Sequence, residues 1–475
     1  MRNLTLLTDF YELTMMYGYF KTETKDKEAV FDLFFRGREE LSYAVAAGLE
    51  QAIDYIKNIK FNDEDIAYLR GLNCFDEPFL EELREFRFTG DVYAVREGNI
   101  IFPYEPLMIV KAPIFQAQFV ETALLTLINH QTLIATKASK IANNTSAAVL
   151  EFGLRRAQGP DAGIFGARAA IIGGCAATSN VIAGKMFDIK VSGTHAHSWV
   201  MSFPDELTAF RKYADLYPDS CLLLVDTYNT LKSGVPNAIK VFDELSAKGH
   251  RPLGIRIDSG DLAYLSNAAR KMLDEAGYQD AIICASGDID ENVLIALKSQ
   301  NAKIDTYGIG TKLITSFSNP SLGGVYKLAA IEDENGKLLP KIKISNTVEK
   351  VTNPGLKKVI RFYDKKTDKA IADLIMLREE ENPNGEPYTI FDPENPWKKM
   401  CIKDYYIEEL LVKVFEKGEQ VYTSPDVKEI AAYHKKCSSS FWEQYKRVTL
   451  PEIFKVDLSE RLYDLKHELL GDKAE

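Results

Sequence analysis

The sequence predicts an α/β fold: a barrel of parallel strands and helices, flanked by a β-rich α+β domain with a C-terminal extension. Three observations predict it. Between about residues 148 and 330, short wholly apolar runs alternate with longer helical patterns, the rhythm of βαβ units and a buried parallel sheet. The two ends of the chain lack that rhythm and mix short strands with helices. In the middle region, residues able to do chemistry follow the apolar runs, whereas the helices are followed by plain turns.

The chain has 475 residues, too many for one compact core. Length over roughly 150 residues per domain gives about three domains. The composition shifts place them at 1–140 (N-terminal α+β), 141–335 (α/β barrel, catalytic) and 336–475 (C-terminal, partly completing the β-rich domain).

In the first region, Leu13, Met16, Tyr17 and Phe20 suit one helix face. Asp91 to Val95 and Pro106 to Lys111 read as short strands split by Gly98-Asn99. Phe119 to Ile141 is apolar at helical spacing and reads as a long, mostly buried helix. In the middle region, Ala148 to Phe152 precedes a helix over Asp161 to Ile172. Ile189 to Val191 precedes one around Asp205 to Leu216, and Cys221 to Asp226 precedes Pro236 to Lys248. Leu253 to Ile257 precedes Asp261 to Ala276, Ala281 to Ala285 precedes Glu291 to Lys298, and Ile304 to Tyr307 precedes a glycine-rich turn. Six or seven such units in this span favour a closed barrel, with a doubly wound sheet as the alternative. In the last region Lys341 to Ser345, Lys358 to Phe362 and Ala370 to Leu374 look like strands, and Val427 to Val448 looks helical.

Composition narrows the function classes. The chain is 46% hydrophobic and 27% charged, which excludes disorder, collagen and coiled coil as the main state. Its net charge of −11 lacks the basic footprint of a nucleic-acid binder. Six cysteines lie far apart with no CxxC pair, so neither a zinc site nor a disulfide framework is suggested. The N-terminus has no apolar signal core, and no run approaches the ~20 apolar residues that span a bilayer. The expectation is a reduced, soluble, cytoplasmic protein without membrane or nucleic-acid partners.

The loops after the predicted strands hold Phe152 to Arg156, Thr178 to Asn180, Ser192 to His197, Asp226 to Asn229, Arg256 with Asp258 to Asp261, Ser286 to Asp288, and Gly308 to Lys312. Each has a bland reading. Asp261 and Asp288 suit helix caps, Gly308-Ile309-Gly310 suits a turn, and Arg155-Arg156 suits a solvated edge. Their coincidence on one face points instead to anion binding. Glycine-rich turns opening helices expose backbone N–H groups to phosphate, and barrels favour the last two such loops for it. Asp258 and Asp261, flanking Ser259-Gly260, suit ribose hydroxyls or a hydrated Mg²⁺. Arg155 and Arg256 suit a carboxylate or phosphate. The implied ligand is a phosphorylated sugar plus a second anion.

His195 and His197 share one face of an extended segment and could hold a metal, as in metal-dependent hydrolase barrels. Such a site wants further histidines from later strands. Only His130, His250, His434 and His467 remain, His250 at the wrong end of its strand and His130 in an apolar helix. A single histidine acting as base or nucleophile fits better. A non-catalytic barrel that senses a phosphorylated metabolite is a third reading.

Leu7 to Met15 (LTDFYELTM), Phe34-Phe35-Arg36, Glu151 to Arg156 (EFGLRR), Ala177 to Val181 (ATSNV), Gly193 to Ser198 (GTHAHS), Ile255 to Asp261 (IRIDSGD) and Tyr307 to Thr311 (YGIGT) together resemble the nicotinate phosphoribosyltransferase family. These seven motifs lie in family order over almost the whole chain; the tail after about residue 400 carries none. The resemblance implies a type II phosphoribosyltransferase: an irregular, TIM-like α/β barrel with a flanking β-rich domain, working as a dimer. The implied reaction joins nicotinate to 5-phosphoribosyl-1-diphosphate, giving nicotinate mononucleotide and diphosphate in NAD salvage, with coupled ATP hydrolysis and Mg²⁺ accompanying the diphosphate and ATP.

The resemblance also implies roles. His197 becomes phosphorylated by ATP, and Asp258 holds the ribose; these two are the expected catalytic residues. His195 occupies a variable position. Tyr11, reaching across the dimer interface, and Phe152 stack on the pyridine ring. Arg256 and Thr194 hold nicotinate, and Arg155 neutralises its carboxylate. Ser259 and Gly260 line the ribose, and Gly287, Gly310 and Thr311 cradle phosphate. Related nicotinamide enzymes carry an acidic residue at the position of Ser179, so Ser179 beside Arg155 and Arg156 favours the acid substrate. No dedicated protein metal site is expected. The family often has Pro-Phe shortly after Phe-Phe-Arg, where this chain has Gly37-Arg38-Glu39-Glu40; Arg36 remains a candidate phosphate contact, and Arg38 has no assigned role.

Overall fold

The computed structural model describes residues 2–37, 41–347 and 350–471; Arg38 lies outside them. The chain forms two compact units. One comprises Met1–Leu133 with Ser321–Glu475, the other Ile134–Pro320. The first boundary falls inside the long helix Glu121–Ala142. The C-terminal segment thus belongs to the same unit as the N-terminal one.

The first unit is built on a seven-stranded antiparallel sheet that interleaves both ends of the chain. Glu28–Phe35 pairs with Met108–Pro113 on one side and with the distant Gly324–Glu332 on the other. Phe31 stacks on Tyr326 across that second seam, ring centroids 4.8 Å apart. Both faces of Glu28–Phe35 are covered, so its run of apolar residues needs no polar alternation. A four-stranded sheet follows, with Lys357–Asp364 and Ala370–Leu377 at its centre.

Two expectations for this unit fail locally. Lys341 to Ser345 alternates like a strand but forms no ladder; only Leu338–Pro340 pairs, and Lys343 donates its backbone N–H to the Thr352 hydroxyl at 3.0 Å. The helix from Val427 stops at Ser439 instead of running to Val448, and a short turn Glu443–Lys446 follows. The Ser440 hydroxyl donates to the Cys437 carbonyl at 2.7 Å, a side-chain bond that competes with helix continuation.

The second unit carries a six-stranded sheet with every pairing parallel. Its strands are β1 (Ala148–Glu151), β2 (Ala177–Thr178), β3 (Leu222–Leu224), β4 (Gly254–Ile257), β5 (Ile282–Gly287) and β6 (Thr306–Ile309). Their spatial order is β2-β1-β6-β5-β4-β3. The last strand returns to the first, and β3 to β6 follow one another in chain order. A doubly wound sheet instead reverses direction from a central strand. The predicted strand at Ile189 to Val191 reduces to one parallel bridge, Thr178 to Val191. Among the described residues no ladder joins Val191 to β3. Helices Pro160–Ile172, Glu206–Leu216, Val235–Ala247, Leu262–Glu275 and Glu291–Ser299 follow strands as the apolar periodicity predicts. Their core holds Phe210, Phe242, Leu223, Ile255, Leu273 and Ile283, all buried.

All six cysteines are free thiols. No described helix is long and apolar enough to cross a membrane.

Candidate active site

Parallel pairing puts the C-terminal ends of all six strands at one edge of the sheet. Arg256, on β4, is the hub there. Its Nε donates to the Ser286 hydroxyl at 2.8 Å, one terminal nitrogen to the Thr194 hydroxyl at 3.1 Å, and the other to Asp258 Oδ1 at 2.7 Å. Ser286 also donates to Asp258 Oδ1. The guanidinium carbon lies 5.7 Å from the centre of the Phe152 ring, within cation–π reach. The ends of β1, β4 and β5, and the segment after the Val191 bridge, therefore meet on one cation.

Asp258 is set from behind by a residue the motifs did not single out. Asp226, just after β3, accepts the Asp258 backbone N–H at 3.0 Å and the Ser259 hydroxyl at 2.6 Å, both through Oδ2. Its Oδ1 is buried and makes no hydrogen bond. Burial pushes the Asp258 carboxyl up, but the Ser286 hydroxyl and the Arg256 guanidinium outweigh it and hold the group below the usual carboxylate range. Asp258 is thus an anion at neutral pH, facing a cation on its own strand.

The two histidines separate. His197 opens the short helix His197–Met201, and its Nδ1 lies 3.1 Å from the Thr227 hydroxyl, the residue after Asp226. His195 is buried. Its Nε2 accepts the backbone N–H of Leu224 on β3 at 3.2 Å, and Tyr213 packs edge-on at 4.6 Å. Burial lowers its pKa to about 4, so it is neutral. Nε2 is committed to the edge strand and Nδ1 faces the Ala196 carbonyl at 3.4 Å, leaving neither nitrogen for a metal. Among the described residues no group of three or more His, Cys, Asp or Glu side chains is placed to hold a metal ion. The metal-hydrolase reading lacks its ligand set.

The glycines earn their positions by close approach. A Cβ on Gly308 would lie 2.5 Å from the Phe152 ring, so β6 must be bare there for the ring to lie over it. Gly287 sits at φ +124°, a backbone region that disfavours side chains, and its Cβ would meet the Asp258 carbonyl at 3.0 Å. Gly310 precedes the short helix opened by Thr311, and a Cβ there would sit 3.0 Å from the Phe152 carbonyl. Gly260 has φ +85° beside Ser259. Asp261 does cap its helix, accepting the Tyr264 N–H at 3.0 Å; at the next helix Asp290, not Asp288, is the cap.

Three predicted residues stand apart from this hydrogen-bonded web. Ser179 follows β2 and donates its backbone N–H to the Glu151 carbonyl at 2.9 Å. Arg155 lies in a short turn after β1, exposed and without an ion pair to any described residue. Tyr11 lies on helix Phe10–Lys21 of the first unit, 44% exposed.

Sequence comparison decides the family. Models of the nicotinate phosphoribosyltransferase N-terminal domain, the family itself and its C-terminal domain match residues 6–129, 147–370 and 356–466. Nicotinate phosphoribosyltransferase of Bacillus subtilis is 48% identical over 99% of this chain and 96% of its own length. The chain belongs to the nicotinate phosphoribosyltransferase family. The Caenorhabditis elegans nicotinate phosphoribosyltransferase is 35% identical over 98% of this chain and 93% of its own. The crystal structure of human nicotinic acid phosphoribosyltransferase superposes with a TM-score of 0.86 at 29% identity, covering 97% of this chain and 99% of that one. Asp226, Thr227 and Ser286 lie in the polar strand-end loops that the sequence marks, but neither the loops nor the family motifs gave these three side chains a role of their own; their hydrogen bonds to Asp258, Ser259, His197 and Arg256 make them candidates.

Proposed function

We propose that this member of the family transfers phosphoribose from 5-phosphoribosyl-1-diphosphate to nicotinate in NAD biosynthesis, coupled to ATP through a phosphohistidine at His197. The observation that carries the reading is the Arg256 hub, which joins Thr194, Asp258, Ser286 and the Phe152 ring at the strand ends.

In the reaction the pyridine nitrogen bonds to ribose C1 as the C1–O bond to diphosphate breaks. The nitrogen lone pair of nicotinate is free near neutral pH, so no general base is needed. Positive charge develops at C1, and catalysis is positioning and charge placement. Phe152 would stack on the pyridine ring, Arg256 and Thr194 would hold nicotinate, and the exposed Arg155 would neutralise the carboxylate. Asp258, ionised and anchored by Asp226, would hold the ribose beside Ser259 and Gly260. Gly287, Gly310 and Thr311 would cradle phosphate. His197 would take the γ-phosphoryl of ATP, releasing ADP, and return it to water.

Mg²⁺ accompanying diphosphate and ATP fits the donor set, because Asp226 Oδ1 is an acidic oxygen without a hydrogen-bond partner. Asp226 and Asp258 would hold it there, where it would offset phosphate charge. In the first unit burial depresses the half-buried Lys327 ammonium, Glu121 raises it, and Lys343 and Arg36 depress it further; the Arg36 Nε is buried without a partner among the described residues. This concentration of cations suits Arg36 to a phosphate. Exposed apolar residues on the helix Val181–Phe187, among them Val181 at 71%, suit a homodimer in which Tyr11 crosses the interface. The cyclic strand order suits closure into an irregular barrel, and the free thiols suit the cytoplasm.

The test incubates enzyme with ATP, Mg²⁺ and nicotinate, with and without the diphosphate sugar. Nicotinate mononucleotide should form only in the complete mixture; a metabolite sensor would bind and not turn over. His197→Ala should abolish the ATP-driven component while sparing ligand binding. Coupled ATP use that survived intact in that variant would remove His197 from the mechanism.

A further inference from the structure

Behind the proposed base site lies a buried carboxyl that no role above uses. Glu151 ends β1, one residue before Phe152, and is fully buried. Both of its oxygens are occupied by neighbouring turns. Oε1 accepts the backbone N–H of Gly153, folding the side chain back onto the turn that carries Phe152 and Arg155. Oε2 accepts the hydroxyl of Thr178, at the end of β2, at 2.5 Å. The Glu151 carbonyl accepts the backbone N–H of Ser179 at 2.9 Å. The Thr178 hydroxyl works in both directions, since it also accepts the backbone N–H of Asn180 at 3.0 Å. A Cβ at Gly153 would lie 2.5 Å from the Ile314 side chain and 2.8 Å from Glu151 Oε1, so the turn is closely packed there.

We infer that Glu151 and Thr178 are positioning residues for base recognition: their side-chain bond locks the Phe152–Arg155 turn to the Ser179 turn, so that the stacking ring and the acid-or-amide selector address one ligand. The backbone ladder between β1 and β2 is only two residue pairs long, Leu150 to Ala177 and Glu151 to Thr178. Beyond that ladder only the Ser179 N–H bond to the Glu151 carbonyl ties the two turns through the backbone, and the Glu151–Thr178 side-chain bond adds a second tie. Burial pushes the Glu151 carboxyl up, against the Thr178 hydroxyl and the Gly153 N–H. This inference rests on the proposed placement of nicotinate beside Phe152 and Ser179.

Thr178→Val is the test, because it keeps the shape and removes both hydroxyl bonds, with Thr178→Ser as the conservative control. Expected for Thr178→Val is a rise of about tenfold in KM for nicotinate, with kcat within about threefold and KM for the diphosphate sugar unchanged. Thr178→Ser should stay within about twofold of the parent on all three. Equal movement of both KM values, or an unmoved nicotinate KM, would overturn the positioning role. Phe152→Ala and Ser179→Asp, measured alongside, separate the two levels: if neither shifts nicotinate KM, the base site is misplaced; if they shift it and Thr178→Val does not, only the lock is wrong. Should Thr178→Val fold poorly, Glu151→Gln is measured by the same ratio, since its amide has a single acceptor oxygen and cannot accept from both the Gly153 N–H and the Thr178 hydroxyl.

Discussion

Arg361 in the first unit and Arg256 in the second both stand on strands and both pair with an aspartate, at 2.6 and 2.7 Å. Their surroundings differ. Arg361 is wholly buried, grips both oxygens of Asp373, and spends its remaining donors on Asn99 and the Ile100 carbonyl. The rings of Phe102, Phe441 and Phe454 close over it. Nearby Glu105 is pushed well above its ordinary pKa by burial and by Asp373. Arg256 has one aspartate oxygen, two hydroxyls and one ring, and the aspartate side chain keeps about a third of its surface open, 32%. An ion pair sealed by aromatic rings has no capacity left for a ligand. One that relies on hydroxyls at a strand edge can exchange partners. The same two residue types thus make structure in one unit and a binding site in the other.

The largest expected effect breaks the sealed pair. Arg361→Met leaves Asp373 buried and uncompensated, and should cost about 3–5 kcal/mol in denaturant unfolding while sparing turnover per folded molecule. Next, Arg256→Ala should lower kcat/KM about 10²–10³-fold, the usual loss on removing a preorganised donor, and shift stability by less than about 1 kcal/mol. If Arg256→Ala destabilised the protein as much as Arg361→Met, the contrast between the two pairs would not hold.

A smaller effect tests selectivity at the open site. Ser179→Asp places an acid where a carboxylate ligand is expected, and should weaken nicotinate use about 100-fold with the ATPase activity far less affected. Equal loss of both activities would count against Ser179 as the selector.

The smallest effect concerns a buried acid without any arginine. Glu12 accepts the hydroxyl of Thr8 and both the N–H and hydroxyl of Thr122, yet burial outweighs them and raises its pKa from 4.5 to about 7. A raised carboxyl favours folding when protonated. Its contribution is full below pH 4.5 and is lost as pH climbs to about 7. Glu12→Gln should therefore flatten the stability–pH curve over that window, gaining on the parent by about 2 kcal/mol at pH 8 relative to pH 4. Parallel curves for the two proteins would mean that folding leaves the Glu12 pKa unshifted.

Much of the second unit was legible because parallel strands bury both faces. Cys221 to Val225 and Ala281 to Ala285 carry no polar residue, so their type and spacing stand out. The site was legible where motifs end such runs, as at Arg256 and Asp258. Asp226 and Thr227 stood in a polar strand-end loop but carried no role, because their importance lies in what they touch: the Asp258 backbone and His197, about thirty residues away in each case. Lys341 to Ser345 shows the opposite failure. Its alternation is a proper strand pattern, but a strand also needs a neighbour, and pattern alone does not supply one.

By itself the sequence determined the family, the βαβ rhythm of the middle region and the edge at which its polar residues collect, because each is written in local residue order. The sequence also suggested that the C-terminal region partly completes the β-rich domain; tertiary structure set the bounds of that unit at 1–133 with 321–475, and alone decided that His195 is spent on an edge-strand N–H while His197 is left beside Thr227, and that one arginine–aspartate pair is sealed and the other open. Those outcomes depend on which distant groups exclude water from a charge or satisfy a backbone donor. Such partners are chosen only when the chain has folded.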